Sequence, residues 1–434
     1  MAKYHKPHRT HSAPVAALQS IATGTVTPLL REDTGIHQSS LDSDVVERVH
    51  VIILVHGWIG CPQDLGYLHH AMEEQAAIVL KEENLSSSQR REPLYVYTCT
   101  SNHGRTNDGI QAGADRIAQE SQEFLDSIRE QHKGTLKEIT LSVVGYSLGG
   151  LYSRYALPKI ITAESADDSN NSPKIIPKVF CTIATPHLGS EGHTYVQLPR
   201  RLERWLSLMT QTGRDLFRHS NTIEKTITDP HWVEPMLRFE KRIAYANTYA
   251  MDVMVPTSTA AFIPENSTSE HFHLEIPNNN RFMALMVQTP AQHKLLREQT
   301  QQQSPTSSSS SSWDHAKRLD AMGWTKIFVD FADSYDRHAD NDSKDHDSST
   351  MTCSSSSERK RSIRAFELHA EFQRSKRRLF LPVGHDLVAV NSKNVFYSYF
   401  MRRGRPLIDQ LANDFVRDVV RGVQQQSNDD GDGV

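Results

Sequence analysis

Ile139-Thr140-Leu141-Ser142-Val143-Val144-Gly145-Tyr146-Ser147-Leu148-Gly149-Gly150 is the stretch whose reading decides the fold. Ile139–Val144 is a short, largely apolar stretch rich in β-branched residues, as expected of a buried strand. It leads directly into Gly145-Tyr146-Ser147-Leu148-Gly149, a GxSxG match, and Leu148–Leu157 continue as a helix. Strand, sharp turn and helix in immediate succession raise a serine hydroxyl above the carboxyl end of a sheet. The turn needs small residues two before and two after the serine, because a Cβ there would strike the adjoining strand or helix. Gly145 and Gly149 supply that room. The turn also sets the Leu148 amide at a helix N-terminus, where it can stabilise an oxyanion.

Upstream, Val51–Val55 is a second continuous apolar run, ending in His56-Gly57-Trp58. It reads as a buried strand and a tight loop, which makes the Trp58 amide the candidate for a second oxyanion donor, with Gly57 allowing close approach. Leu94–Thr100 reads as a strand, and Ile110, Ala114, Ile117, Ser121, Phe124 and Ile128 recur at helical spacing. Downstream, Lys178–Ala184, Arg242–Ala246 and Thr325–Phe331 read as strands, and Val395–Phe400 and Ile408–Val423 as closing helical segments. Strands alternating with helices imply a mostly parallel sheet covered by helices, because parallel strands need a crossover between them.

The chain has 434 residues, 37% hydrophobic and 23% charged, which describes a soluble globular protein with extra polar segments. Lys and Arg number 48 against 52 Asp and Glu, so no global field favours nucleic acid, and none is expected as a partner. Cys61, Cys99, Cys181 and Cys353 lie far apart without a CxxC pair, which argues against a disulfide framework and a zinc site and favours a reducing compartment. No ligand cluster has metal spacing, so neither metal nor organic cofactor is expected. We expect a tail over residues 1–45, an α/β domain over 46–425 and a second tail over 426–434. Within the domain, 301–312 and 334–362 are Ser-rich or Asp- and Ser-rich tracts expected to be disordered surface insertions. The N-terminal tail carries Lys3, Lys6, Arg9 and Arg31 with no acid before Glu32, so organelle targeting stays open beside a cytoplasmic location.

A serine nucleophile on such a turn takes its acid and its base, in that order, from later in the chain. Asp252 follows the strand Arg242–Ala246 and is the candidate acid; Asp229, before Pro230, reads more simply as a turn or cap residue. Among 22 histidines, His385 has Pro and Gly loop chemistry before it and an apolar run after it. His338, His346 and His369 also follow Thr325–Phe331, but they lie in polar or charged surroundings.

Together, Leu54-Val55-His56-Gly57-Trp58, Val144–Gly150, Ala184-Thr185-Pro186-His187-Leu188-Gly189, Tyr245-Ala246-Asn247 followed by Asp252, and His385 resemble the putative serine esterase family of lipase-like α/β-hydrolases. The resemblance extends over about residues 49 to 423. It implies the α/β-hydrolase fold and a serine hydrolase acting on carboxylic esters, in particular lipid acyl esters, with Ser147 as nucleophile, His385 as base and Asp252 as orienting acid. It also implies an ester or lipid substrate as partner. His187 is expected to shape its turn and His56 to orient its loop. A lid-like insertion is expected over 190–241, where Leu198, Leu202, Trp205, Leu206 and Met209 share a helical face while Arg200, Arg201 and Arg204 point elsewhere. Such a helix could cap the acyl pocket or touch a membrane or lipid-droplet surface, or simply pack on the sheet edge. An acyltransferase or thioesterase on the same scaffold, and a non-catalytic interaction protein, are the alternatives.

Overall fold

β1 (Arg48–Val55) shows why this sequence makes a sheet covered on both sides. Val49, Val51, Ile53 and Val55 enter one apolar cluster and Ile52 and Leu54 another, and all six are fully buried. With side chains alternating across the sheet, a strand that is continuously apolar from Val51 to Val55 can be satisfied only between two layers. Each such side chain contributes about 1.5–3 kcal/mol on leaving water.

The computed structural model describes residues 46–86, 92–162, 172–190, 209–248, 252, 254–264, 267–276, 280–292, 296, 312–331, 362–364, 384–391 and 401–421. The further strands are β2 (Leu94–Thr98), β3 (Glu138–Tyr146), β4 (Lys174–Ile183), β5 (Lys241–Asn247), β6 (Glu270–His273), β7 (Met283–Gln288), β8 (Thr325–Val329) and β9 (Ser362–Arg364). Among the described residues they form a nine-stranded sheet in the order β2-β1-β3-β4-β5-β8-β7-β6-β9. The first six in that order are parallel, with Val51 opposite both Tyr95 and Leu141. The last three extend the sheet antiparallel to their neighbours. This parallel sheet with helices on both faces and a serine turn after β3 is the α/β-hydrolase fold.

The long helices divide between the faces. α1 (Gly66–Ser86) packs on α10 (Arg405–Arg421) over one face, where Leu411, Phe415 and Val419 are buried. α2 (Ile110–Gln131) packs on α3 (Leu148–Thr162) over the other, joined by the short helices α4 (Gln211–Leu216), α5 (Thr222–Thr228) and α6 (Pro230–Leu237). The remaining α-helices among the described residues are α7 (Thr257–Ala260), α8 (Ser312–Ala321) and α9 (Gly384–Leu387). No helix among the described residues is long and apolar enough to cross a membrane.

α2 is capped from far along the chain. Its N-cap Gly109, at φ +97°, has no side chain to offer. Thr212 Oγ1 accepts the Gly109 N–H at 3.0 Å and Asp215 Oδ2 accepts the Ile110 N–H at 2.7 Å. A carboxylate placed there satisfies an orphan helix donor and meets the positive end of the helix dipole.

Some boundaries differ from the sequence reading. The strands β6, β7 and β9 were not anticipated, and β9 follows the last of the strands read from the sequence, Thr325–Phe331. Ser312 and Ser362, placed in the polar tracts, open α8 and β9. Val395–Phe400 and the rest of those tracts lie outside the described residues, as do both tails from 1 to 45 and from 426 to 434.

Candidate active site

Ser147 sits between β3 and α3 with φ at +54°, a left-handed backbone that an L-residue holds at a cost of about 1–3 kcal/mol. The turn is fixed on both sides: the Ser147 N–H donates to Ile183 O at 2.8 Å, and Thr185 Oγ1 donates to Ser147 O at 2.9 Å. A Cβ on Gly149 would lie 2.1 Å from Val55 O, and one on Gly145 2.4 Å from the Gly150 Cα. Both glycines are therefore demanded by backbone packed against backbone.

His385, on α9, reaches this serine from 238 residues away: Ser147 Oγ lies 3.0 Å from its Nε2. Its Nδ1 lies 2.8 Å from Asp252 Oδ2. The carboxylate can only accept, so Nδ1 carries the proton and Nε2 presents a lone pair to the serine hydroxyl. Asp252 is 1% exposed and is held by three more donors, the amides of Met254 and Val255 on Oδ1 and Asn247 Nδ2 on Oδ2. Burial pulls the His385 pKa down, but the charge and hydrogen bond of Asp252, with the nearby Asp386, outweigh it and raise it above its ordinary value.

Gly57 lies against Ser147, where a Cβ would be 2.7 Å from Ser147 Cβ, so the backbone leading to Trp58 passes beside the hydroxyl. The Trp58 indole N–H donates to Asn107 Oδ1 at 2.8 Å, which anchors that loop. Leu148 is the first residue of α3 and is 1% exposed; its amide belongs to the helix turn whose N–H groups have no intrahelical acceptor.

The neighbouring histidines are held differently. His56 is fully buried, its Nδ1 3.1 Å from Gly57 O, and desolvation lowers its pKa. His187 is fully buried beside Phe262 and Trp324. Arg154 donates to its Nδ1 at 3.2 Å, so the ring is neutral and Nε2–H donates to Thr182 Oγ1 at 3.0 Å. Desolvation, with Arg154 and Lys326 adding to it, holds the His187 pKa well below the ordinary range. Asp229 Oδ1 accepts the His231 N–H as the N-cap of α6.

Ser147, Asp252 and His385 are thus brought together, with Gly57, Trp58, Leu148, Gly145 and Gly149 around the serine. Of the lid-like residues, Leu202, Trp205 and Leu206 lie outside the described residues, and Met209, at their edge, is 63% exposed. The sequence reading gave no role to Tyr146, whose hydroxyl meets the His385 carbonyl, or to Asn247 as a donor to Asp252. An asparagine closing the buried run Ile243-Ala244-Tyr245-Ala246 was the available signal for the second.

Residues 46–266 match the family described as Putative serine esterase (DUF676), a range that holds Ser147 and Asp252 and ends before His385. No curated protein matches the chain. Among solved structures, phospholipase PlaB from Legionella pneumophila in complex with thio-NAD is 16% identical, with a TM-score of 0.29 over 46% of this chain and 38% of that one. The match thus spans well under half of that phospholipase. The peroxisomal α/β-hydrolase Lpx1 from Saccharomyces cerevisiae is 13% identical, with a TM-score of 0.28 over 51% of this chain and 67% of that one. Brefeldin A esterase, described as a bacterial homologue of human hormone sensitive lipase, is 13% identical, with a TM-score of 0.27 over 58% of this chain and 74% of that one.

Proposed function

From the premise that the chain belongs to the serine esterase family its sequence matches over residues 46–266, we propose that this hydrolase cleaves carboxylic esters of lipids through an acyl-enzyme intermediate. The observation that carries the reading is the line from Ser147 Oγ through His385 to Asp252 Oδ2, with steps of 3.0 and 2.8 Å. His385 Nε2 takes the Ser147 proton as Oγ attacks the ester carbonyl carbon. The Trp58 and Leu148 amides stabilise the tetrahedral oxyanion, and Asp252 stabilises the imidazolium that forms. Collapse breaks the bond to the alcohol oxygen, which leaves with the Nε2 proton. Water then attacks the acyl-serine, giving a proton to Nε2; collapse breaks the bond from the acyl carbon to Oγ, the carboxylic acid leaves, and the Nε2 proton returns to Ser147 Oγ.

The lipid part of the reading is supported by the rim. Ile59 follows Trp58 and is 69% exposed; Met254 follows Asp252 by two residues and is 59% exposed. Ile59 also stands at φ +54°, a costly place for a β-branched residue at the surface. Apolar side chains beside both the oxyanion loop and the acid suit an acyl chain or a lipid surface. Hydrolysis of a p-nitrophenyl ester series from acetate to palmitate tests this. We expect turnover to favour long chains, and Ile59→Ser with Met254→Ser to lower long-chain turnover about tenfold while sparing acetate. Equal loss across the series would contradict the lipid assignment.

A further inference from the structure

Tyr146 is the residue before the nucleophile, the last of β3, and is 4% exposed. Its backbone is therefore fixed by the sheet and by the same turn that fixes Ser147. Its side chain runs to the other half of the site. The phenol hydroxyl donates to the His385 carbonyl oxygen at 3.1 Å, with Asp386 Oδ1 as a second acceptor at 3.4 Å. Its ring lies 5.1 Å from the imidazole, centroid to centroid, tilted by 34°. One side chain thus holds the main chain of the histidine and lies beside its ring.

That contact matters because of how the histidine is carried. α9 is a single turn of four residues, too short to be rigid by itself. Behind the histidine the segment is secured in the core. Leu387, Val388, Ala389 and Val390 are at most 2% exposed. A Cβ on Gly404 would meet Leu387 O at 2.0 Å, so the chain leading into α10 presses on this segment. The Asn391 N–H donates to Asp386 O, and Asn391 Nδ2 to Asp386 Oδ1. These anchors lie after His385, one to six residues on, whereas the tyrosine acts on the histidine itself. It acts from the strand that ends at the nucleophile, so motion of the base relative to the serine must stretch this bond.

We propose that Tyr146 is a positioning residue, a strut between β3 and α9 that sets the separation of His385 Nε2 from Ser147 Oγ and the plane in which the imidazole meets it. The proposal rests on the reading of Ser147 and His385 as nucleophile and base. The hydroxyl fixes the histidine backbone, and the ring limits rotation about its χ2. Misplacement of a reacting group by a fraction of an ångström to one ångström costs on the order of ten- to hundredfold in rate.

Steady-state kinetics and fluorophosphonate labelling of wild type, Tyr146→Phe, Tyr146→Met and His385→Ala test it. Phenylalanine keeps the ring and removes the bond; methionine removes both and fills a similar volume. We expect kcat and the labelling rate to fall about tenfold in Tyr146→Phe and further in Tyr146→Met, at a KM within about twofold of wild type. The acid limb of the pH profile should move down, as the loosened imidazole loses contact with Asp252. Wild-type rates and pH profile in folded Tyr146→Phe and Tyr146→Met would overturn the proposal. So would losses that follow the melting temperature with no change in the pH profile, as for a merely structural residue. Failure of wild type itself to label, or unaltered labelling of His385→Ala, would instead remove the nucleophile and base on which the proposal depends.

Discussion

At Ser147 the protein holds a strained backbone in place with contacts that leave no alternative. Gly149 is the sharpest case, since a methyl group there would have to displace the Val55 carbonyl of the neighbouring strand. Gly149→Ala is expected to destabilise the fold by about 1–3 kcal/mol or more, read from the urea midpoint, and to abolish turnover with it. The charge state of His385 makes a second prediction. A general base works only when deprotonated, so a pKa raised above about 6.5 places the acid limb of kcat/KM above that pH. Asp252→Asn removes the charge and should move the limb downward while lowering kcat by orders of magnitude. The same shift has a stability consequence of defined sign. The imidazolium–Asp252 pair stabilises the fold fully below the unfolded pKa of about 6.5, and this contribution is lost as pH rises through the higher folded value. A pH series of thermal melts of wild type against His385→Gln reads it directly.

Among the elements, α2 depends on a partner far along the chain. Asp215 caps it across 105 residues, and through Thr212, which accepts from Gly109 and donates to Thr106 O, the same region meets the loop that holds Trp58. Asp215→Ala should cost about 1–2 kcal/mol of stability, measured by denaturant titration, by stranding the Ile110 N–H. A loss below a few tenths would mean that another acceptor replaces it. The α/β core was legible in the sequence because strands buried on both faces spell themselves out as apolar runs, as β1 and β3 do. The antiparallel extension was not. In β7, Met283–Gln288, burial alternates, but exposed Ala284 and half-buried Met286 hide the period of two. β6 reads Glu-His-Phe-His, with His271 buried against Lys326, a lysine that is fully buried in β8 beside Asp320. Only the tertiary pairing explains a lysine there, since a buried charge needs a partner that the local pattern does not announce.

At the scale of the whole molecule, the proposed function depends on three residues far apart in sequence meeting at the carboxyl end of one sheet. The sequence reading named Ser147, Asp252 and His385 by combining the strand–turn–helix context with the order of acid and base along the chain. What it missed, the tyrosine bond to His385 O and the asparagine bond to Asp252, are contacts that exist only once β3, β5 and α9 are assembled. The fold places Ser147 after β3 and Asp252 after β5, with α10 over the opposite face from α3 and α9 beside the serine shortly before α10 in the chain. The proposed chemistry stands or falls with Ser147 as a nucleophile activated by His385. Labelling of purified wild type, Ser147→Ala and His385→Ala with a fluorophosphonate, with and without detergent, tests this most directly because it presumes no substrate. We expect covalent labelling of wild type, none of Ser147→Ala, and a loss of at least about a hundredfold in rate for His385→Ala, all three melting alike. Folded wild type that stays unlabelled in both conditions, or Ser147→Ala that labels as wild type does, would contradict it.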